Sequence, residues 1–129
     1  IGKKAGVKLP KIFYVNWFRK NDDGKFIWPG FGVNSRILKW IFERCNGSGK
    51  AIETPIGNLP AIDSLYLEGL KLSEQEISQL LSVEIDGWLA EKPQIQAYYE
   101  SYSGRTPIEI LDELAQLKER LEAARSEAA

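Results

Sequence analysis

The organisation of this chain is decided by residues 16–36, which read NWFRKNDDGKFIWPGFGVNSR. Five aromatic side chains fall within this stretch, interleaved with basic residues, between a β-like run and the start of a helix. A hydrophobic core does not need so much ring surface beside so much positive charge. A site for a flat, anionic ligand needs both, because rings stack on a base while basic groups attract phosphate. The stretch therefore predicts a purine pocket, which the rest of the chain is expected to hold in shape.

The length and composition of the chain indicate one globular domain. It has 129 residues, of which 43% are hydrophobic and 27% charged, and it contains no histidine, the commonest general base and zinc ligand. No apolar run approaches the roughly 18 residues that cross a bilayer, and the start lacks an apolar signal segment. Because the first residue is Ile1, we expect the chain to be excised from something longer. The single cysteine, Cys45, excludes an internal disulfide and fits a reducing, cytoplasmic location.

The net charge of −1 conceals a strong asymmetry between the two parts of the chain. Residues 1–50 carry 11 positive and 3 negative side chains, whereas residues 51–129 carry 6 positive and 15 negative ones. The basic part is expected to attract anions such as phosphates, and the acidic part to keep the domain in solution. The alternative is that the positive side chains merely face solvent.

The stretch before the central turn has the composition of a strand. Residues 11–18 are β-branched and aromatic, and both faces are largely apolar, which predicts a strand covered on both sides. Residues 21–24, NDDG, predict a turn and a return along residues 25–28, which Pro29 ends. The sequence therefore predicts an aromatic β-hairpin.

The residues after the glycine loop, which we define as residues 29–32, predict helices. Asn34 is well placed to cap a helix over about residues 35–45, with Cys45 on its apolar face and therefore in the core. Residues 50–70 favour extended segments and turns. Ser73 and Glu76 have the spacing of a capping box ahead of a second helix.

The C-terminal part predicts two further helical segments. In the first, aromatic and apolar residues recur at helical spacing, although Pro93 is expected to kink or interrupt it. Thr106 and Pro107 then predict the start of a final helix. Its apolar residues repeat at alternating steps of four and three and favour packing on a neighbouring element over a coiled coil: Ile110, Leu114, Leu117 and Leu121.

The candidate ligand contacts are three rings and one amide. Phe18, Phe26 and Phe31 come from a strand, its return and the glycine loop, so a fold can bring them around one plane. Each ring stacked on a base contributes about 1–3 kcal/mol without discriminating among bases. Asn34 can read the edge of the base, because an amide carries both a donor and an acceptor. The alternatives are that Phe18 and Phe26 are core rings and that Asn34 only caps the helix; Trp17 and Trp28 are interpreted as packing residues.

Three motifs carry a resemblance to a known family. LPKIFYVNWFRK at residues 9–20, GKFIWPGFGVNSR at 24–36 and TPIG at 54–57 resemble the C-terminal part of GTP-dependent phosphoenolpyruvate carboxykinase. The resemblance covers nearly the whole chain, closely over residues 9–57 and loosely after them. The family enzyme converts oxaloacetate and GTP to phosphoenolpyruvate, carbon dioxide and GDP, a decarboxylating lyase reaction of gluconeogenesis that uses manganese or magnesium.

The resemblance also implies the site residues. The family's guanine pocket has three phenylalanines, which by motif position are Phe18, Phe26 and Phe31, and its guanine-edge asparagine falls on Asn34. Val33 stands where the family commonly has glutamate, next to the contact. The implied fold is α+β: a short aromatic β-hairpin or sheet fragment followed by mostly α-helices, as a piece of a larger α/β nucleotide-binding domain. Residues 1–10 are then a linker or severed junction, and residues 11–129 the guanine-binding segment.

The sequence also predicts what the chain lacks. It has no glycine-rich Lys-Ser/Thr loop for phosphates and no set of residues for a catalytic metal. In the family these parts lie upstream, so the segment is expected to be inactive alone, with the upstream domains of the same polypeptide as its partners. The family's reactive cysteine is also upstream, so Cys45 does not inherit its role.

Two hypotheses from other classes remain open at this point. Rings beside basic residues also suit a binder of single-stranded nucleic acid, which predicts steeply salt-dependent oligonucleotide binding. A helical protein-interaction module that uses the chain from Thr106 onward predicts association that is lost when this tail is removed.

Overall fold

The computed structural model describes residues 6–127, and these have an α+β architecture. The strands are β1 (Ala51–Thr54) and β2 (Gly57–Pro60), and the helices are α1 (Ser35–Cys45), α2 (Glu74–Leu81), α3 (Ile85–Glu100) and α4 (Ile108–Glu127), with 3₁₀ turns at Phe31–Val33 and Ile62–Ser64. The chain divides into two compact units. The first runs to Ala51 and includes Pro60–Leu81, and the second comprises Ile52–Leu59 and the chain from Ser82 onward. The α+β prediction is confirmed; of the predicted linker at residues 1–10, the first five lie outside the described residues.

Of the predicted aromatic hairpin, the described part of the structure contains the turn but not the two strands. Asn21 closes that turn, because its backbone oxygen accepts from Gly24 and its side-chain Oδ1 from the backbone N–H of Lys25, both at 2.9 Å. Gly24 has a φ of 76°, a conformation that costs glycine little. Beyond these bonds, the two sides pair through a hydrogen bond from the N–H of Asn21 to the oxygen of Lys25, an antiparallel bridge between Lys20 and Phe26, and a hydrogen bond from the N–H of Ile27 to the oxygen of Arg19.

The strand prediction for residues 11–18 is wrong within the described part of the chain. The segment keeps an alternating exposure, with Phe13, Val15 and Trp17 half-buried, but it lies in no ladder. Ile12 and Tyr14 on the other face are almost fully exposed, so the segment is covered on one side and not on both. A strand needs a neighbour for its backbone groups, and residues 6–127 offer it none there.

Helix α1 begins and ends where the sequence predicts, but it presents a different face to the core. Trp40 is its buried residue, while Phe42 and Cys45 are exposed, so the prediction of a core position for Cys45 is wrong. The Asn34 side chain makes no capping hydrogen bond, and this prediction is also wrong. The helix ends at Cys45, and Gly47, two residues later, has a φ of 82°, the left-handed conformation common after helices.

Trp40 anchors the first unit. Its indole N–H donates to the backbone oxygen of Lys50 at 2.8 Å, and its ring meets that of Phe13 edge-to-face, with the centroids 6.0 Å apart. Lys11 also donates to the backbone oxygen of Arg44 at the end of α1. These contacts hold residues 11–13, which precede the turn, against α1.

The predicted capping box at the start of α2 is confirmed. The backbone N–H of Ser73 donates to the Glu76 carboxylate at 2.7 Å, and the N–H of Glu76 donates to the Ser73 hydroxyl at 3.2 Å. The first of these bonds, with a second from the Ser73 hydroxyl, lowers the pKa of the Glu76 carboxyl below its ordinary value. Ile77, one residue further along, is buried.

The second unit is built from the β1–β2 hairpin and the helices α3 and α4. The two-residue connection between β1 and β2 makes the pair antiparallel. Helix α4 packs on α3 and has Leu114 and Leu121 buried, which confirms packing on a neighbouring element, although Ile110 is exposed. Of the predicted kink or interruption at Pro93, the interruption is wrong, because helix α3 continues through this residue. Arg120 ties α4 to the hairpin turn by donating to the oxygen of Pro55 at 3.0 Å.

Candidate functional site

The turn brings two of the predicted site residues together. The rings of Phe18 and Phe26 lie 5.8 Å apart between centroids at an interplanar angle of 62°, an edge-to-face pair. Both are exposed, at 69% and 57%, so the interpretation of these rings as core is wrong. We call this exposed pair the aromatic platform. Because its rings touch each other, a base can stack on the platform but not between its two rings.

The third predicted ring stands apart in the glycine loop. Phe31 is 95% exposed, and among the described residues it contacts no other aromatic ring. Gly30 holds the preceding backbone at a φ of 102°, which favours glycine, and its oxygen accepts from the N–H of Val33 at 3.1 Å. The turn thus presents the Phe31 side chain to solvent on a hydrogen-bonded backbone.

Asn34 lies three residues after Phe31, and two hydrogen bonds hold it in place. Its backbone N–H donates to the oxygen of Phe31 at 3.3 Å, while its Oδ1 accepts from the indole N–H of Trp28 at 2.7 Å. Trp28 is buried and packs on Trp17, with ring centroids 6.3 Å apart, so its interpretation as a packing residue is confirmed. The hydrogen bond to Asn34 was not predicted, and no sequence signal marks a contact across six residues of a glycine-containing loop.

Positive charge lies beside the platform. The Lys20 ammonium sits 5.2 Å from the centre of the Phe26 ring, a cation–π distance. Arg36 is engaged elsewhere in the same unit, because it donates to the backbone oxygen of Tyr66 at 2.6 Å and lies over the Tyr66 ring. Of these two cations, Lys20 is therefore the one placed to meet an anion bound at the rings.

An open cleft of about 370 Å³ in the first unit contains none of the four predicted residues. Two of its charged side chains form an ion pair, in which the Lys50 ammonium and the Asp63 carboxylate lie 2.5 Å apart. Their hydrogen bond raises the pKa of Lys50 and lowers that of Asp63. We therefore place the candidate site at the aromatic platform and the glycine loop, and not in this cleft.

Side chains of the types that commonly bind metal ions do not cluster in residues 6–127. Within that range no group of three or more histidine, cysteine, aspartate or glutamate side chains lies close enough to hold one. The same residues include no helix long and apolar enough to cross a membrane.

Comparison with known proteins decides the family. The family described as phosphoenolpyruvate carboxykinase C-terminal P-loop domain matches residues 1–120. The chain belongs to this family. Two relatives, both named phosphoenolpyruvate carboxykinase (GTP), come from Renibacterium salmoninarum, 51% identical over 114 residues, and Chlamydia caviae, 50% identical over 118 residues. A third of the same name, from Corynebacterium jeikeium, is 42% identical over 125 residues.

These matches cover most of this chain and little of each relative. They span 88%, 91% and 97% of the chain but 19%, 20% and 21% of the respective relatives. The chain therefore corresponds to about a fifth of a carboxykinase, within the C-terminal domain that the family description names.

Proposed function

We propose that this chain is the guanine-recognition segment of a GTP-dependent phosphoenolpyruvate carboxykinase. The base stacks on the aromatic platform of Phe18 and Phe26, Phe31 covers it from the glycine loop, and Asn34 contacts its edge. The observation that carries the proposal is the exposure of all three rings in a chain of this family, with Phe31 at 95%.

Binding of a base requires exposed rings for stacking and a side-chain amide in a fixed orientation, such as that of Asn34, which Trp28 holds. Burying a phenylalanine ring stabilises by about 1.5–3 kcal/mol relative to leaving it exposed, so three exposed rings retain free energy for a ligand. The platform and Phe31 both lie in the first unit, and the hydrogen bond between Trp28 and Asn34 spans the loop that carries Phe31. Lys20 at the platform supplies positive charge for the phosphates.

The whole enzyme's reaction requires parts beyond this segment. Oxaloacetate loses carbon dioxide, and the resulting enolate oxygen takes the γ-phosphoryl group of GTP to give phosphoenolpyruvate and GDP. Manganese or magnesium and the phosphate loop belong to the upstream domains of the polypeptide in this proposal, and the segment alone is inactive. The proposed location is cytoplasmic, where the exposed thiol of Cys45 is compatible with the reducing conditions.

A chimera tests this proposal. In it, this chain replaces the matched 114-residue region of the Renibacterium salmoninarum relative. We expect carboxykinase activity that prefers GTP to ATP, because the host supplies the phosphate and metal sites and this chain supplies the base contacts. The 129-residue chain alone is expected to show none. Equal kcat/KM with GTP and ATP in an active chimera, or activity of the chain alone, would contradict the proposal.

A further inference from the structure

The contact between Trp28 and Asn34 fixes the chemical identity of the atom that Asn34 offers to a ligand. An indole N–H is a donor only, so its partner at 2.7 Å must be the amide oxygen Oδ1. The other end of the amide, Nδ2, carries two N–H donors and no acceptor. Among the described residues, no hydrogen bond to a side chain or backbone occupies Nδ2.

Trp28 is well suited to hold this orientation. It is buried, and its ring packs against that of Trp17. The hydrogen bond also spans the glycine loop, since it joins residues six apart on either side of Pro29 and Phe31. This contact therefore sets the orientation of the Asn34 amide and, together with the backbone hydrogen bonds of Val33 and Asn34, closes the loop that carries Phe31.

We propose that Trp28 is the positioning residue that makes this site select 6-oxopurine nucleotides, by holding the Asn34 amide with its donors toward the base. This inference rests on the proposed function of the site. Guanine and hypoxanthine carry an acceptor oxygen at position 6, which an Nδ2 donor can meet. Adenine carries an amino group there, which places two donors against each other and leaves both unpaired. The 2-amino group that distinguishes guanine from hypoxanthine is not read by this contact.

The decisive variant is Trp28→Phe in the chimera described above. Phenylalanine keeps a ring against Trp17 but lacks the N–H, so the Asn34 amide is free to turn and to offer either end to the base. We expect the ratio of kcat/KM for GTP over ATP to fall about tenfold, and that for ITP over ATP to fall equally. The ratio of GTP over ITP should stay unchanged, since neither nucleotide loses a contact that the other keeps.

Trp40→Phe is the matched control. Trp40 is also buried in the first unit, and its indole N–H donates to the backbone oxygen of Lys50 at 2.8 Å. The control variant loses the same kind of hydrogen bond away from the site. It is expected to be less stable than the parent but to keep the parent's GTP over ATP ratio.

The outcomes separate this inference from the proposal on which it rests. If Trp28→Phe lowers kcat/KM equally for GTP, ITP and ATP, or changes none of them, Trp28 is only structural support and the inference is overturned. If instead Asn34→Ala and Phe31→Ala leave the GTP kinetics of the chimera unchanged, the site itself is misplaced and the proposed function fails.

A second variant covers the case in which Trp28→Phe does not fold. Asn34→Asp leaves an oxygen for the Trp28 N–H and turns the group facing the base from a donor into an acceptor. The GTP over ATP ratio is then expected to fall at least tenfold, because the carboxylate repels the 6-oxygen and accepts from the adenine amino group. An unchanged ratio in this variant would also overturn the inference.

Discussion

Phe31→Ala is expected to raise the KM of the chimera for GTP by about fivefold to 150-fold while leaving its stability unchanged. The kinetic effect follows from the loss of one base-stacking ring, worth about 1–3 kcal/mol. The stability should not change because Phe31 is 95% exposed and contacts no other ring among the described residues. Substitutions of such surface side chains usually change the free energy of unfolding by less than about 0.5 kcal/mol.

Phe42→Ala provides the matched control for this prediction. Phe42 is 72% exposed on α1, in the same unit, but lies outside the platform and the glycine loop. It is expected to change neither the KM for GTP nor the unfolding midpoint. Steady-state kinetics and urea unfolding of both variants provide the comparison. An unchanged KM in Phe31→Ala, or an equal rise in both variants, would contradict the assignment of Phe31 to the base site.

Trp40→Ala is expected to destabilise the first unit by about 3–5 kcal/mol, the usual cost of removing a large buried aromatic side chain. The substitution removes the edge-to-face contact with Phe13 and leaves the backbone oxygen of Lys50 without its indole donor. Because Trp40 contacts Phe13 in the segment that leads to the candidate site, nucleotide binding should be lost when the first unit unfolds. Urea unfolding of the chain, monitored by near-ultraviolet circular dichroism, measures the effect.

The comparison with Trp40→Phe divides the Trp40 contribution into its parts. Phenylalanine retains much of the ring packing against Phe13 and loses the hydrogen bond to Lys50, so its cost should be smaller than that of alanine. Phe42→Ala, on the exposed side of the same helix, should cost almost nothing. If Trp40→Ala unfolds at the same urea concentration as the parent chain, Trp40 does not anchor this unit.

Features determined by neighbouring residues were predicted from the sequence. The bounds of α1, the turn closed by Asn21 and Gly24, and the capping box of Ser73 and Glu76 all depend on backbone and side-chain groups a few residues apart. Such groups meet whenever the chain adopts the local conformation, so the pattern is sufficient.

Features that need a distant partner were not predicted. A strand at residues 11–18 requires a neighbouring strand, and its composition alone cannot supply one. Trp40 is the buried residue of α1 because its side chain contacts Phe13 and the backbone oxygen of Lys50. Cys45, on the same helix, is exposed. Asn34 had two possible roles by position, and the nearby indole of Trp28 decided against the capping bond.

The candidate site likewise has one feature that the local sequence predicts and one that depends on a distant residue. The meeting of Phe18 and Phe26 follows from a turn that the sequence predicts, since the bridge between Lys20 and Phe26 aligns the two sides. The orientation of the Asn34 amide depends on a packed tryptophan across the glycine loop, which no local pattern specifies. The four candidate residues were proposed from the resemblance to the family, whereas the hydrogen bond that Trp28 makes to one of them, Asn34, is seen only in the structure.

The most direct test of the guanine pocket is a measurement of nuclear Overhauser effects between bound GTP and labelled phenylalanine rings of this chain. We expect the base proton H8 or the ribose proton H1′ of GTP to show contacts with the rings of Phe18 or Phe26 and also with Phe31. The exposed ring of Phe42 should show none, and ATP at the same concentration should give weaker contacts throughout. Contacts confined to other rings, or equal for GTP and ATP, would contradict a guanine pocket formed by these residues.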